Sequence, residues 1–306
     1  PAQVHPEMFR EVEGIGLYRT EFLFMTERED FPTEDEQHGV YSMLFERSGR
    51  NPVTIRTLDI GSDKNLPYFT MGLQENPALG LRAHRLYRFH PEIFVTQIRA
   101  VLRAARPQSR VRIMYPMIES AENLFYVQRL LKQAVDSLER EGKPYQRDFL
   151  QGVLIEVPSA VMDLRRILTL VDFVSIGTND LLQYLFAIDR NNANVVGEYR
   201  PESPVVIGML NEIIEVTRVM GRQVSLCGEI GSDLYYLPLL VGLGLRHVSV
   251  DYHSIPGIRS YFRTIDIQAC VELAGACRRA FTADEVRKLL DDFYPHVYRL
   301  ATPEPR

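Results

Sequence analysis

The sequence predicts an α/β fold of the (β/α)8 TIM-barrel type, and three observations carry that prediction. Short apolar, β-branched runs recur along the chain, segments with helical spacing separate them, and most of the runs end on a polar side chain. Alternation of strand and helix implies a parallel sheet. Parallel strands closed into a barrel share one C-terminal face, where side chains from successive strand ends converge.

The elements follow in order. GIGLYRTE gives a strand over 15–18 that runs into Arg19 and Glu21. A helix over 33–48 starts at TEDE, whose Thr and acidic residues have the form of a capping box. VTIRTLD gives a strand over 53–60 carrying Arg56 and Asp59. Apolar residues at helical spacing give a helix over 91–105, and RIMYPM a strand over 110–117. After a helix over 119–141, GVLIEVPS gives a strand over 152–157 ending at Glu156, followed by a helix over 159–169. FVSIGTND (173–178) leads to Asn179 and Asp180. A helix over 204–220 precedes VSLCGE (223–229), which carries Cys227 and Glu229. A helix over 233–242, a strand over 246–251, and helices over 254–262 and 282–300 complete the series. Seven strands are visible; the eighth is expected near 66–71 or in the N-terminal segment. The irregular stretch 61–80 is long enough to be functional or mobile. No repeat or Ser/Gly linker divides the chain, so residues 1–306 read as one domain.

Composition narrows the function. At 45% hydrophobic and 25% charged over 306 residues, the chain has the make-up of a soluble globular protein with a sizeable core. A net charge of −5 argues against nucleic acid, which calls for a basic stripe. No apolar run approaches a membrane span, and the start has no secretory pattern. Three cysteines without metal-type spacing suit reduced thiols and a cytoplasmic setting. Cys270 and Cys277, a heptad apart, are expected on the buried face of a helix. Because the chain opens on Pro1, it is expected to be a fragment of something longer.

The strand-end residues define a chemistry. Arg19 and Arg56, with Arg190 in AIDRNN, suit a phosphate or carboxylate through paired charge-assisted bonds. Singly, each suits a salt bridge to Glu21 or Asp59; jointly they suit an anion cradle. Lys64 and Arg82 are weaker candidates. Glu156 and Asp180, at the ends of successive strands, offer hard oxygen ligands for Mg²⁺. For Asp180, which precedes LLQYLF, capping of a helix N-terminus competes with that role. Asn179 supplies an uncharged donor. Cys227 is either a proton donor to carbon or a buried inert thiol.

GIGLYRTEFLF, RTLDIGSDKNLPYF, ENPALGLRAHR, IEVPSA, SIGTNDLLQYLFAIDRNN and LCGE together resemble the C-terminal, phosphoenolpyruvate-binding domain of enzyme I. Enzyme I is the phosphoenolpyruvate–protein phosphotransferase of bacterial phosphotransferase systems, and YRTE, IEVPS and AIDRNN look most like its nitrogen-related branch. The resemblance spans about residues 11–295. It implies that Arg19, Arg56, Asn179, Asp180 and Arg190 bind phosphoenolpyruvate, that Glu156 and Asp180 hold Mg²⁺, and that Cys227 protonates the enolate to give pyruvate. It further implies a homodimer, for which the apolar stretch 234–245 is a candidate surface. The phosphoryl acceptor is a histidine on an N-terminal domain, and from there a phosphocarrier protein. None of the seven histidines stands in that domain's motif, so this chain is expected to be the donor half. Ser62, Leu81 and the EIGSD stretch at 229–233 depart from the family pattern without removing an expected ligand. Rival readings are a pyruvate phosphate dikinase or phosphoenolpyruvate synthase domain, a Mg²⁺-dependent lyase or aldolase, and a non-catalytic module that senses phosphoenolpyruvate.

Overall fold

The computed structural model describes residues 7, 9, 11–26, 29–61, 66, 68, 69, 72 and 74–301, with backbone alone over 295–301. Lys64 and Ser62, named above, lie outside the described residues. Backbone contacts divide the chain into two compact units. The first runs to Leu154 and includes Leu170–Asp172; the second comprises Ile155–Thr169 and everything from Phe173 onward.

In the first unit, β1 (Ile15–Arg19) is followed by α1 (Glu21–Phe24), α2 (Glu34–Ser48), β2 (Pro52–Arg56), α3 (His84–Tyr87) and α4 (Pro91–Ala104). β3 (Arg110–Tyr115), α5 (Ala121–Arg140) and β4 (Phe149–Ile155, its last residue counted with the second unit) complete it. β1 to β4 pair in parallel in chain order, with Ile55 opposite Ile113 and Met114 opposite Gly152. Val53, Ile55, Val111, Ile113 and Val153 are all buried, as expected for strands covered on both faces. Thr33 and Glu36 do form the capping box that starts α2: Glu36 N donates to Thr33 Oγ1 and Thr33 N to Glu36 Oε2.

α2 packs on α4 and α4 on α5. One arginine ties all three helices together. Arg99 on α4 donates from Nε to Glu34 at 2.6 Å, from Nη1 to Ser137 at 2.6 Å, and from both terminal nitrogens to Glu141 at 2.8 and 2.7 Å. Burial acts against the Glu34 charge, but the Arg99 and Arg103 guanidinium groups outweigh it and hold the carboxyl below its usual range.

The second unit contains α6 (Pro158–Met162), α7 (Leu164–Leu170, its last residue counted with the first unit), β5 (Phe173–Ile176), α8 (Thr178–Phe186), α9 (Pro204–Val219) and β6 (Gln223–Leu226). α10 (Leu237–Gly242), α11 (Ile255–Thr264), α12 (Ile267–Cys277) and α13 (Ala283–Ala301) follow. β5 and β6 pair in parallel, with Ser225 Oγ donating to Ser175 Oγ across the pair. α10 crosses α12 closely enough that a Cβ at Gly242 would stand 2.0 Å from the Cys270 carbonyl oxygen. Only glycine fits that crossing. Cys270 and Cys277 are fully buried there, as expected, and burial pushes the Cys277 thiol up to about 11.

Several expectations need correction. The strands end sooner than the apolar runs do: at Arg56 rather than 60, at Tyr115 rather than 117, and at Leu226 rather than 229. Each run continues as a buried or partly buried loop, and burial without pairing reads like strand in a sequence. The strand expected over 246–251 is a single parallel bridge, Val248 to Leu226. Near 66–71, the described residues show an antiparallel Leu66–Phe69 bridge, which is a turn and not a parallel eighth strand. The helix expected over 159–169 is two helices, α6 and α7. Most of the stretch 234–245 is core: Leu237, Leu239, Leu240, Val241, Leu243 and Leu245 are buried, and Leu234, Tyr235 and Tyr236 are partly exposed. Among the described residues, no helix is long and apolar enough to cross a membrane.

Candidate functional site

The strand ends of the first unit gather the arginines. Arg19 is the last residue of β1 and Arg56 the last of β2, and the two are register partners. Arg19 is exposed, whereas Arg56 is buried. The Arg56 guanidinium Nη2 lies 3.0 Å from Glu21 Oε1, and the backbone N–H of Asp59 donates to that same oxygen at 3.1 Å. Thr20 Oγ1 donates to the Arg56 carbonyl at 3.0 Å. Arg82, rated weaker in sequence, is bound in parallel fashion to Asp59, Nε to Oδ1 at 2.9 Å and Nη2 to Oδ2 at 2.6 Å. Arg56 and Arg82 thus each have a buried carboxylate that fixes the guanidinium plane and offsets its desolvation.

Thr57 and Leu58, just after β2, are tied to distant parts of the unit. Thr57 N donates to Met114 O at 3.0 Å and Leu58 N to Gln97 Oε1 at 2.9 Å, while Tyr87 hydroxyl caps the Leu58 carbonyl. His84 is also buried here, with Nε2 3.2 Å from the Met117 carbonyl oxygen. Burial pushes its pKa down to about 4, so the ring is neutral near neutral pH.

The second unit gathers the carboxylates, the amide and the thiol. Gly177 N donates to Ile155 O at 3.0 Å, and Cys227 N to Ile176 O at 3.0 Å, which lace together the three chain segments bearing Glu156, Asn179–Asp180 and Cys227. Glu156 and Asp180 are both buried, and a carboxylate oxygen of one lies within 4.8 Å of a carboxylate oxygen of the other. Asp180 does stand in the first turn of α8, where the helix dipole favours a negative charge. Two carboxylates at this separation could hold a metal ion, and oxygen donors suit a hard cation.

α8 ends on a left-handed Ala187, φ 54°, and the chain turns back so that Arg190 N reaches Gln183 Oε1 at 3.4 Å. This turn sets Arg190 Nη2 3.7 Å from Asp180 Oδ1. Among the described residues, the buried Nη1 of Arg190 has no hydrogen-bond partner. A guanidinium with a donor to spare is suited to an anion. The Cys227 sulfur lies 3.6 Å from the Ile176 carbonyl oxygen, and none of the three cysteines is in a disulfide. Asn179 Nδ2 donates to Glu229 Oε1 at 2.8 Å, and Glu229 N donates back to Asn179 Oδ1 at 3.2 Å.

The structure therefore brings Arg19 to Arg56, and Glu156 to Asp180 and Arg190. Glu21 is the salt-bridge partner that the sequence offered for Arg56. Two residues with contacts in these groups had no role in the sequence reading, Glu229 and Tyr199, of which Glu229 is visible as an acidic residue just past a strand end. Tyr199 has no local signal; it reaches the start of α8 only through the fold, its hydroxyl 3.4 Å from the Thr178 and Asn179 carbonyl oxygens. Burial pushes that phenol up to about 12.

Residues 1–267 match the sequence family described as PEP-utilising enzyme, PEP-binding domain. Multiphosphoryl transfer protein 1 of Escherichia coli K12 is 40% identical over 283 residues, 92% of this chain and 34% of that protein. The phosphoenolpyruvate-protein phosphotransferase of Haemophilus influenzae is 38% identical over 281 residues, 92% of this chain and 48% of that one. Its namesake in Priestia megaterium is 42% identical over 253 residues, 83% of this chain and 44% of that one. The chain spans between a third and a half of the length of these relatives.

Proposed function

The chain belongs to the family of PEP-utilising enzymes through their PEP-binding domain, and from that premise we propose that it is the Mg²⁺-dependent phosphoryl-donor part of a phosphoenolpyruvate–protein phosphotransferase of the enzyme I type. One observation carries the reading. In the second unit, two buried carboxylates and an arginine with an unused donor stand side by side. That set accommodates a divalent cation and an anionic substrate at once.

In this reading residues 1–306 act as one barrel domain. Arg19, Arg56, Asn179, Asp180 and Arg190 are the residues assigned to substrate oxygens. Glu21 keeps the Arg56 fork in plane, so little freedom is lost when the anion arrives. Glu156 and Asp180 would hold Mg²⁺, which would supply charge neutralisation at the substrate's oxygens. Phosphoryl transfer is mostly positioning and charge stabilisation, which these groups offer. As the phosphorus–oxygen bond breaks, the electron pair stays with the enolate oxygen. The enolate's methylene carbon then takes the Cys227 proton and becomes the methyl of pyruvate.

The acceptor would be a histidine on a separate N-terminal domain, and after it a histidine phosphocarrier protein. A homodimer in the cytoplasm belongs to the same proposal.

Two measurements test this. Phosphoenolpyruvate with Mg²⁺ should raise the melting temperature, by mass action on the folded state. With Mg²⁺ the chain should also exchange solvent deuterium into the pyruvate methyl, and Cys227→Ala should lose the exchange while keeping the melting shift. Absence of any shift refutes the proposal; a shift without exchange in the parent chain makes it a sensing module instead.

A further inference from the structure

We propose that Glu229 is a positioning residue that sets the orientation of the Asn179 side-chain amide for substrate, an assignment that rests on the function proposed above. The two residues exchange hydrogen bonds: the Glu229 carboxylate accepts from Asn179 Nδ2 at 2.8 Å, and the Glu229 backbone N–H donates to Asn179 Oδ1 at 3.2 Å.

This reciprocity leaves one orientation of the amide. An ionised carboxylate only accepts and a backbone N–H only donates, so rotating the amide by half a turn would oppose two acceptors and two donors. Asn179 then has one N–H left for a substrate oxygen, already aligned before binding. Without the clamp, the amide is free to rotate, and its ordering would be charged against binding.

The backbone is built to allow this exchange. A Cβ at position 228 would lie 1.7 Å from Thr178 Oγ1 and 2.9 Å from Thr178 N, so glycine alone lets Glu229 approach the start of α8. From elsewhere in the fold, the Tyr199 hydroxyl meets the Thr178 and Asn179 carbonyl oxygens, at 3.4 Å each. Asn179 is thus held at its side chain by Glu229 and at its backbone by Tyr199.

Glu229→Ala and Glu229→Gln separate orientation from charge. Glutamine keeps a side-chain oxygen that accepts from Asn179; alanine does not; both keep the backbone N–H. Calorimetry with phosphoenolpyruvate and Mg²⁺ should show affinity falling roughly tenfold in Glu229→Ala and staying within about threefold in Glu229→Gln. Affinity unchanged in Glu229→Ala, or lost equally in both variants, overturns the assignment.

A second readout needs no ligand. The Asn179 side-chain amide resonances in a nitrogen–proton correlation spectrum should move in Glu229→Ala and hold in Glu229→Gln. If the parent chain itself fails to bind phosphoenolpyruvate, the proposed function falls. The amide resonances still decide the pairing: a shift in Glu229→Ala upholds it and no shift overturns it.

Discussion

The strand ends of the two units solve opposite electrostatic problems. In the first, Arg56 and Arg82 each lie against a buried carboxylate, Glu21 or Asp59, at hydrogen-bonding distance. Opposite charges are matched before any ligand arrives. In the second, Glu156 and Asp180 bring like charges within 4.8 Å of each other, and Arg190 stands off at 3.7 Å from one of them. The first arrangement contributes to folding; the second brings acidic groups together, which costs stability. The contrast separates a set of matched charges in one unit from a set of crowded carboxylates in the other.

The largest test of that contrast removes a matched partner. Glu21→Ala takes a carboxylate away from a buried guanidinium and an acceptor away from the Asp59 N–H. Urea unfolding should show a loss of about 3–5 kcal/mol. A loss below about 1 kcal/mol would mean the first unit is not held by its charge matching.

Acid offers the second test. The pKa of His84 falls to about 4 in the folded chain, from an ordinary value of 6.5, with burial as the main cause. The unfolded chain therefore binds a proton first. Stability from this group is fully present above pH 6.5 and is lost as pH falls toward 4, amounting to roughly 3 kcal/mol. His84→Leu should flatten that part of a stability–pH curve. An unchanged slope in the variant would remove His84 from the account.

The smallest effect on stability is expected in the second unit, and its sign is opposite. Glu156→Gln removes one of two crowded charges, so unfolding free energy should stay level or rise by up to about 1 kcal/mol. The same change should abolish the Mg²⁺-dependent part of the melting shift. Destabilisation by several kcal/mol would show that Glu156 is a structural partner and not a crowded charge.

Much of this was legible in the sequence, and the reasons for the rest are physical. The strand–helix alternation and the helices Glu34–Ser48, Pro91–Ala104, Ala121–Arg140 and Pro204–Val219 followed from periodicity and capping. The expected ligands fell at strand ends because an apolar run followed by Arg, Glu or Asn is a local pattern. Strand ends were overextended, since Leu58, Ile60 and Met117 are buried by tertiary packing and not by a ladder. The grouping of 246–251 as a strand failed for the same reason. Arg82 was undervalued because its partner, Asp59, is 23 residues away, and Tyr199 lies 20 residues from Asn179. No local pattern encodes such pairs.

The thiols have a practical consequence. Cys270 and Cys277 are sealed in the core near the α10–α12 crossing, whereas Cys227 is only half-buried. An alkylating dye therefore meets one sulfur per native chain and three once the chain is denatured. The reagent's stoichiometry becomes a gauge of intactness, and the rate at the one native position becomes a gauge of occupancy, since anything seated beside that sulfur shields it.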